Sequence, residues 1–202
     1  MTIPRRFEKA IQVFSQNNGI LRTAQSIRLG VDQKTLAEML EKGLIVREAR
    51  GIYRLANLSP LANPDLIQVA LRIPSAVICL LSALAIHNLT TQIPHKVYIA
   101  LPSDTKKPRI IHPPLKIFWL SPRPYSAGIQ KHLLDGIPVP VYNREKTIAD
   151  CFKFRNEIGP DIALEALKDY IRLPDHDFDK LLHYAEITRV LNVMRPYVRA
   201  LA

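Results

Sequence analysis

Three observations predict an α+β fold in two parts. Before residue 56, three short amphipathic helical stretches are followed by an alternating hairpin pattern. Residues 57–64, "NLSPLANP", have the composition of a loop. Beyond them the pattern changes to strand-like runs that give way to a helical tail. At 202 residues and 48% hydrophobic content the chain can bury a core in each part. The expected organisation is a first domain over 1–56, a linker over 57–64 and a mixed α/β domain over 65–202.

In "RRFEKAIQVF" the apolar residues Phe7, Ala10, Ile11 and Phe14 recur at helical spacing, leaving Arg5, Arg6 and Lys9 to solvent. "NNG" at 17–19 ends that helix. "RTAQSIRLG" fits a second, shorter helix ending at Gly30. A third begins at Asp32, whose carboxylate can cap the free amides of "QKTLAEMLEKG", with Leu36, Met39 and Leu40 inward and Gly43 at the C-terminal cap. "LIVRE" and "GIYRL" then alternate about a tight turn at Ala49-Arg50-Gly51, where glycine can supply a positive φ. The alternation turns Tyr53 and Leu55 toward the core, puts Arg47 and Arg54 on the outer face and leaves Arg50 at the tip. Three helices followed by a hairpin is the order of a winged helix-turn-helix.

From Asp65 onward, helical stretches at 65–72 and 75–87 lead to the strand-like "KVYIAL" and "KIFWLS", and "VPVYN" at 139–143 is a third strand. The proline-rich span 102–124 fits turns at a sheet edge rather than regular structure. After Asn143 the sequence is helical: "REKTIADCFKFRNEIG", then "PDIALEALKDYI" with Pro160 in a first turn, "FDKLLHYAEI" and "TRVLNVMRPYV". The second domain is thus expected to be a small mixed sheet with a helical C-terminal tail.

The formal net charge is +10, which favours a polyanionic partner. Residues 1–56 carry 10 Lys/Arg against 5 Asp/Glu, whereas the other 146 carry 18 against 13. Positive charge is therefore densest in the first quarter. Cys79 and Cys151 form neither a CxxC pair nor a disulfide framework and read as buried thiols of a cytoplasmic protein. The opening "MTIPRRFEKA" lacks the apolar core of a signal peptide, and "AVICLLSALAI" is too short to span a bilayer.

The N-terminal half of the third helix would enter the major groove in a winged helix, and it carries Gln33 and Lys34 opposite the apolar face. Gln can read adenine and Lys can reach guanine or phosphate, while Arg28 before the turn and Arg47, Arg50 and Arg54 on the hairpin could hold the flanking backbone. Glu38 opposes this unless it accepts from a cytosine amine.

Enzymatic motifs are weak. Asp104-Thr105-Lys106 has the D-x-K form that a metal-dependent nuclease uses, but no second acidic strand residue accompanies it. Asp175, Asp177, Asp179 and Glu186 imitate a calcium loop, yet Lys180 stands where its sharp turn needs glycine, and the stretch reads as a capped helix start. The same D-x-D lacks the Gly-Ser loop of a nucleotidyltransferase. His87 and His112 have no metal-ligand spacing, and Ser75 and Ser82 have no base to activate them. No catalytic residue, metal site or cofactor is expected.

The stretches "GVDQKTLAEMLEKGLIVREARGIYRL", "SALAIHNLT" and "YNREKTIADCFKFRNEIGPDIALEALKDY", in that order, resemble the AbiEi-type antitoxins, the regulator half of the AbiE abortive-infection toxin-antitoxin pair. The resemblance implies a winged helix that represses its own operon at operator DNA and a C-terminal domain that neutralises a nucleotidyltransferase toxin. It carries the operator-reading role to Gln33 and Lys34 and to Arg47, Arg50 and Arg54. Other members carry more arginine on the third helix, which Glu38 and Glu41 dilute here. "SALAIHNLT" reads as core and helix termination. In "NREKTIADCF", Arg144, Lys146 and Asp150 form either a local ion network or a solvated helix start. Two other classes stay open: a metal-dependent DNA-processing enzyme centred on Asp104, and a one-component regulator whose second domain senses a ligand.

Overall fold

Helical periodicity in the first quarter produces three helices, of which the first and third bring their apolar faces together. A computed structural model describes residues 4–201. In it α1 (Arg5–Ser15), α2 (Thr23–Arg28) and α3 (Gln33–Glu41) accompany the strands β1 (Ile20–Arg22), β2 (Ile45–Ala49) and β3 (Ile52–Leu55). Phe7, Ala10 and Phe14 of α1 pack on Leu36 and Met39 of α3 and on Leu21, Ile45 and Leu55 of the sheet. The short β1 was not expected; it adds a third strand beside β3, in the order β1-β3-β2. Gly51 sits at the hairpin turn with φ +75°, as the turn requires.

The second half is built on a five-stranded mixed sheet in the order β6-β5-β4-β8-β7. Its strands are β4 (Val77–Ile78), β5 (Val97–Pro102), β6 (Leu115–Leu120), β7 (Ile129–Leu134) and β8 (Ile137–Tyr142). Around it lie α4 (Pro64–Arg72), α5 (Leu80–Ile86), α6 (Pro122–Ser126), α7 (Arg144–Lys153), α8 (Arg155–Ile158), α9 (Pro160–Ile171), α10 (Phe178–Ile187) and α11 (Leu191–Leu201). The expected helix over 75–87 is corrected at its start: Val77 and Ile78 form the central strand, pairing with β5 on one side and β8 on the other. The single helix expected over 144–159 is split near Phe154 into α7 and α8. The strand expected at "KIFWLS" is β6, the proline-rich span 102–124 also holds the start of α6, and β7 was missed altogether.

Both faces of the sheet are covered at its centre, so β4, β5 and β8 are apolar on both sides, whereas the edge strand β7 is largely exposed. Tyr98, Ala100, Phe118 and Tyr142 face a core formed with α5, α7, α9, α10 and α11. Alternate residues, Ile99, Leu101, Val139 and Val141, face α4. That second cluster also takes in Ile20 and Ile52 from the N-terminal sheet, so the two halves share an apolar core. Asp135, at the β7–β8 turn, adds a polar tie by accepting from the amides of Ala62 and Asn63 at 3.1–3.2 Å.

Helix α7 is the centre of the second half, and it is buried along its length. Asn143 caps it by accepting from the Lys146 amide at 2.9 Å. The Lys146 ammonium is wholly buried, donates to Asp150 one turn on and lies 4.1 Å from the centre of the Tyr142 ring. Burial pushes the Asp150 carboxyl up, while Lys146 pulls it back. Gly128 (φ +78°) permits the close approach this needs, since a Cβ there would stand 2.7 Å from Lys146 Cβ. Arg144 lies outside this pair and joins Asp175 through two hydrogen bonds, at 3.0 and 2.7 Å. The helix start is therefore neither a solvated surface nor one network.

Removing one member of a buried pair strands the other charge, so Lys146→Met should cost about 3–5 kcal/mol in urea unfolding. Lys146→Met combined with Asp150→Leu should recover much of that loss; a double variant as weak as the single one would deny the pair its role.

Candidate nucleic-acid interface

The Asp32 carboxylate fixes the start of α3. It accepts from the Thr35 amide at 2.8 Å and from the Thr35 hydroxyl at 3.0 Å. The Thr35 amide holds this carboxyl below its usual pKa. With Thr35 turned inward, Gln33 and Lys34 are exposed on the first turn. Glu38 is answered from within the fold, because Arg6 of α1 forms an ion pair with its carboxylate. Its acidity is thereby offset next to the surface that Gln33 and Lys34 present.

Arg28, at the end of α2, and Arg47 and Arg50, on the hairpin, are exposed, and the ion pairs found among the described residues involve none of them. Arg54 departs from expectation. It stands opposite Ile20 and Val46 on the face of the sheet that turns to the second half, and only 7% of it is exposed. Its guanidinium pairs with Glu48 and donates to the carbonyls of Leu55, at 3.1 Å, and Leu58. Arg54 thus closes the end of the hairpin onto the 57–62 segment and is not available to a phosphate. Tyr53 and Leu55 face the first core, as the alternation required.

A second concentration of polar groups lies at the start of α7, where sequence reading found only Arg144, Lys146 and Asp150. Glu145 is 2% exposed. Its Oε1 accepts from the Tyr170 hydroxyl at 3.0 Å, and its Oε2 faces the Lys180 ammonium at 3.0 Å. Glu145 and Lys180, with His87, Gln130, His132, Asn143 and Arg144, line an open cavity of about 310 Å³. His87 Nε2 lies 2.7 Å from the Tyr142 carbonyl oxygen, which can only accept, so this nitrogen carries the proton. Burial holds the His87 imidazole below its usual pKa. Glu145 lies between Arg144 and Lys146 in sequence, in a polar first turn that gave no sign of its burial; Tyr170, His132 and Lys180 are far off in sequence and carried no signal.

Asp177 caps α10 by accepting from the Lys180 amide at 2.9 Å. Asp104 is exposed in the loop between β5 and β6. Among the described residues no helix is long and apolar enough to cross a membrane. Nor do three or more His, Cys, Asp or Glu gather among them as metal ligands would.

Residues 8–56 match the family model described as "Transcriptional regulator, AbiEi antitoxin". No curated protein matches the chain. Among solved structures, the crystal structure of the RV2827C protein from Mycobacterium tuberculosis is similar in fold. Its TM-score is 0.55 at 11% identity, over 98% of this chain and 82% of that one.

Two outcomes follow from this geometry. Arg54→Ala leaves Glu48 and two carbonyls without their donor and should cost roughly 2–3 kcal/mol in urea unfolding; an unchanged midpoint would return Arg54 to the surface. His87 has a depressed pKa when folded, so the unfolded chain takes up its proton first. Its contribution to stability is present above about pH 6.5 and is lost as pH falls through the lower folded value. Melting temperature measured from pH 7.5 to 5 should accordingly fall less steeply in His87→Gln than in the wild type, and parallel curves would contradict this.

Proposed function

We propose that residues 1–56 form a winged helix-turn-helix that binds operator DNA, and that the protein is a cytoplasmic antitoxin and autorepressor of the AbiE type without catalytic activity. The observation that carries this reading is a coincidence of two findings. The segment matched by the regulator family is also the segment in which α3 and the hairpin expose Gln33, Lys34, Arg47 and Arg50, with Arg28 at the end of the preceding helix.

In this reading α3 lies in the major groove with its capped N-terminal turn against the base edges. Gln33 and Lys34 discriminate bases; Arg28, Arg47 and Arg50 hold phosphates and set the register. Arg54 has no part in binding and instead stiffens the hairpin from behind. The second half neutralises a nucleotidyltransferase toxin, as the resemblance of "YNREKTIADCFKFRNEIGPDIALEALKDY" implies.

The test is a binding titration of the full chain on its own promoter region. Lys34→Ala should lower affinity for the promoter fragment by roughly 10- to 100-fold and relax its preference over unrelated duplex, since a good base contact is worth about 1–3 kcal/mol. Arg50→Ala should weaken both duplexes alike and reduce the salt slope by about 1. Wild-type affinity in both variants would refute the assignment.

A further inference from the structure

We infer that the loop 103–114, which joins β5 to β6 in the second half, is a second phosphate-binding element that continues the DNA track of the hairpin. The inference rests on the DNA-binding reading above and adds to it a surface outside the matched segment.

The loop reads "SDTKKPRIIHPP" and carries Lys106, Lys107 and Arg109 against the single carboxylate of Asp104. All three cations are exposed, and the ion pairs found among the described residues involve none of them. A charge run of this kind on a mobile tip would mean only solubility. This one is fastened along its length. At its start the Thr105 hydroxyl donates to the Pro102 carbonyl at 2.7 Å, and Trp119 Nε1 donates to the Thr105 carbonyl at 3.0 Å. Near its end the Gln68 amide of α4 donates to the His112 carbonyl. Between these points Ile110 packs against the shared apolar cluster. Pro108, Pro113 and Pro114 restrict the backbone further.

The anchors at Ile110 and His112 also place that end of the loop beside the hairpin. Ile110 packs on the same cluster as Ala49 and Ile52, and Gln68 shares a small cleft with Glu48, Ala49 and Ile52. Residue 49 is next to Arg50. Duplex DNA presents a phosphate charge every few ångströms on both sides of a groove, so a hairpin resting on one strand brings further phosphates within range of a neighbouring cationic loop. The chemistry matches a backbone contact and not base reading: two lysines and an arginine, on a loop that carries no Asn or Gln of its own.

The test measures binding of the full chain to promoter and unrelated duplexes across a salt series. For Lys106→Ala/Lys107→Ala/Arg109→Ala, affinity should fall by about tenfold or more on both duplexes, with the slope of log K against log salt reduced by roughly 2–3. The preference for the promoter should be unchanged, and so should the melting temperature, because the three side chains are exposed. Wild-type affinity and slope would overturn the inference, as would a loop variant that binds DNA normally but no longer neutralises the toxin, which would mark the loop as a protein contact. Lys34→Ala separates the two readings. If it weakens promoter binding and the loop variant does not, the loop inference alone fails; if the wild-type chain binds neither duplex, the DNA-binding reading fails with it.

Discussion

The second half of the molecule depends on an ionic contact in a place with no water. Lys146 and Asp150 sit one turn apart on α7, and four other helices pack round that helix. A lysine ammonium there must be answered within the fold, and three elements converge to do so: Asp150 on its own helix, the Tyr142 ring from β8, and Gly128, whose missing side chain leaves room for the lysine stem. Burying such a pair contributes little net stability. What it contributes is register, because a displaced helix would bury either charge alone. The sheet edge, the cap at Asn143 and the helices α9 and α10 are all positioned relative to that one contact.

A comparable constraint works at the other end. The three-stranded N-terminal sheet is apolar on both faces, one closing the helical core through Leu21, Ile45 and Leu55, the other meeting α4 through Ile20 and Ile52. A hairpin that projects freely could bend as it met a ligand. This one is backed by a second core, by Arg54 bonded to Glu48 and two carbonyls, and by Asp135 holding the segment that follows. The exposed arginines are consequently carried by a support that is already ordered, so little entropy remains to be lost on binding.

What the sequence disclosed and what it hid divide along one line, which is whether a residue's environment is set by near or distant neighbours. Helices α1, α3, α9 and α10 were legible because their apolar spacing and capping residues are local. The cap at Asp32 and the turn at Gly51 were legible for the same reason. Strand β4 was not, since two residues inside the apolar run "AVICLLSALAI" have no periodicity of their own, and pairing with β5 and β8 makes them a strand. The edge strand β7 was hidden by its polar composition. Arg54 was misread because alternation tells that a side chain leaves the first core but not what covers the opposite face. Lys146 was ambiguous because a lysine in the first turn of a helix usually reaches water. Of the candidate interface, Arg28, Gln33, Lys34 and Arg50 are exposed as the sequence reading had them, and Arg47 is exposed but stands opposite Tyr53 and not on the face it was expected to share with Arg54, whereas the cavity between His87, His132 and Lys180 joins segments too far apart to be associated by reading along the chain.

The shared core also bears on modularity. Small N-terminal modules are commonly treated as cassettes that can be cut from one protein and grafted to another. Here a cut after residue 56 would uncover Ile20 and Ile52, leave Arg54 without the Leu58 carbonyl and remove the α4 surface on which the hairpin rests. The fragment would carry an adhesive apolar face. Recombination at that joint would succeed only if the incoming partner supplied a matching surface, so substitutions at Ile20 or Ile52 are constrained by Leu61 and Ile67 across the seam.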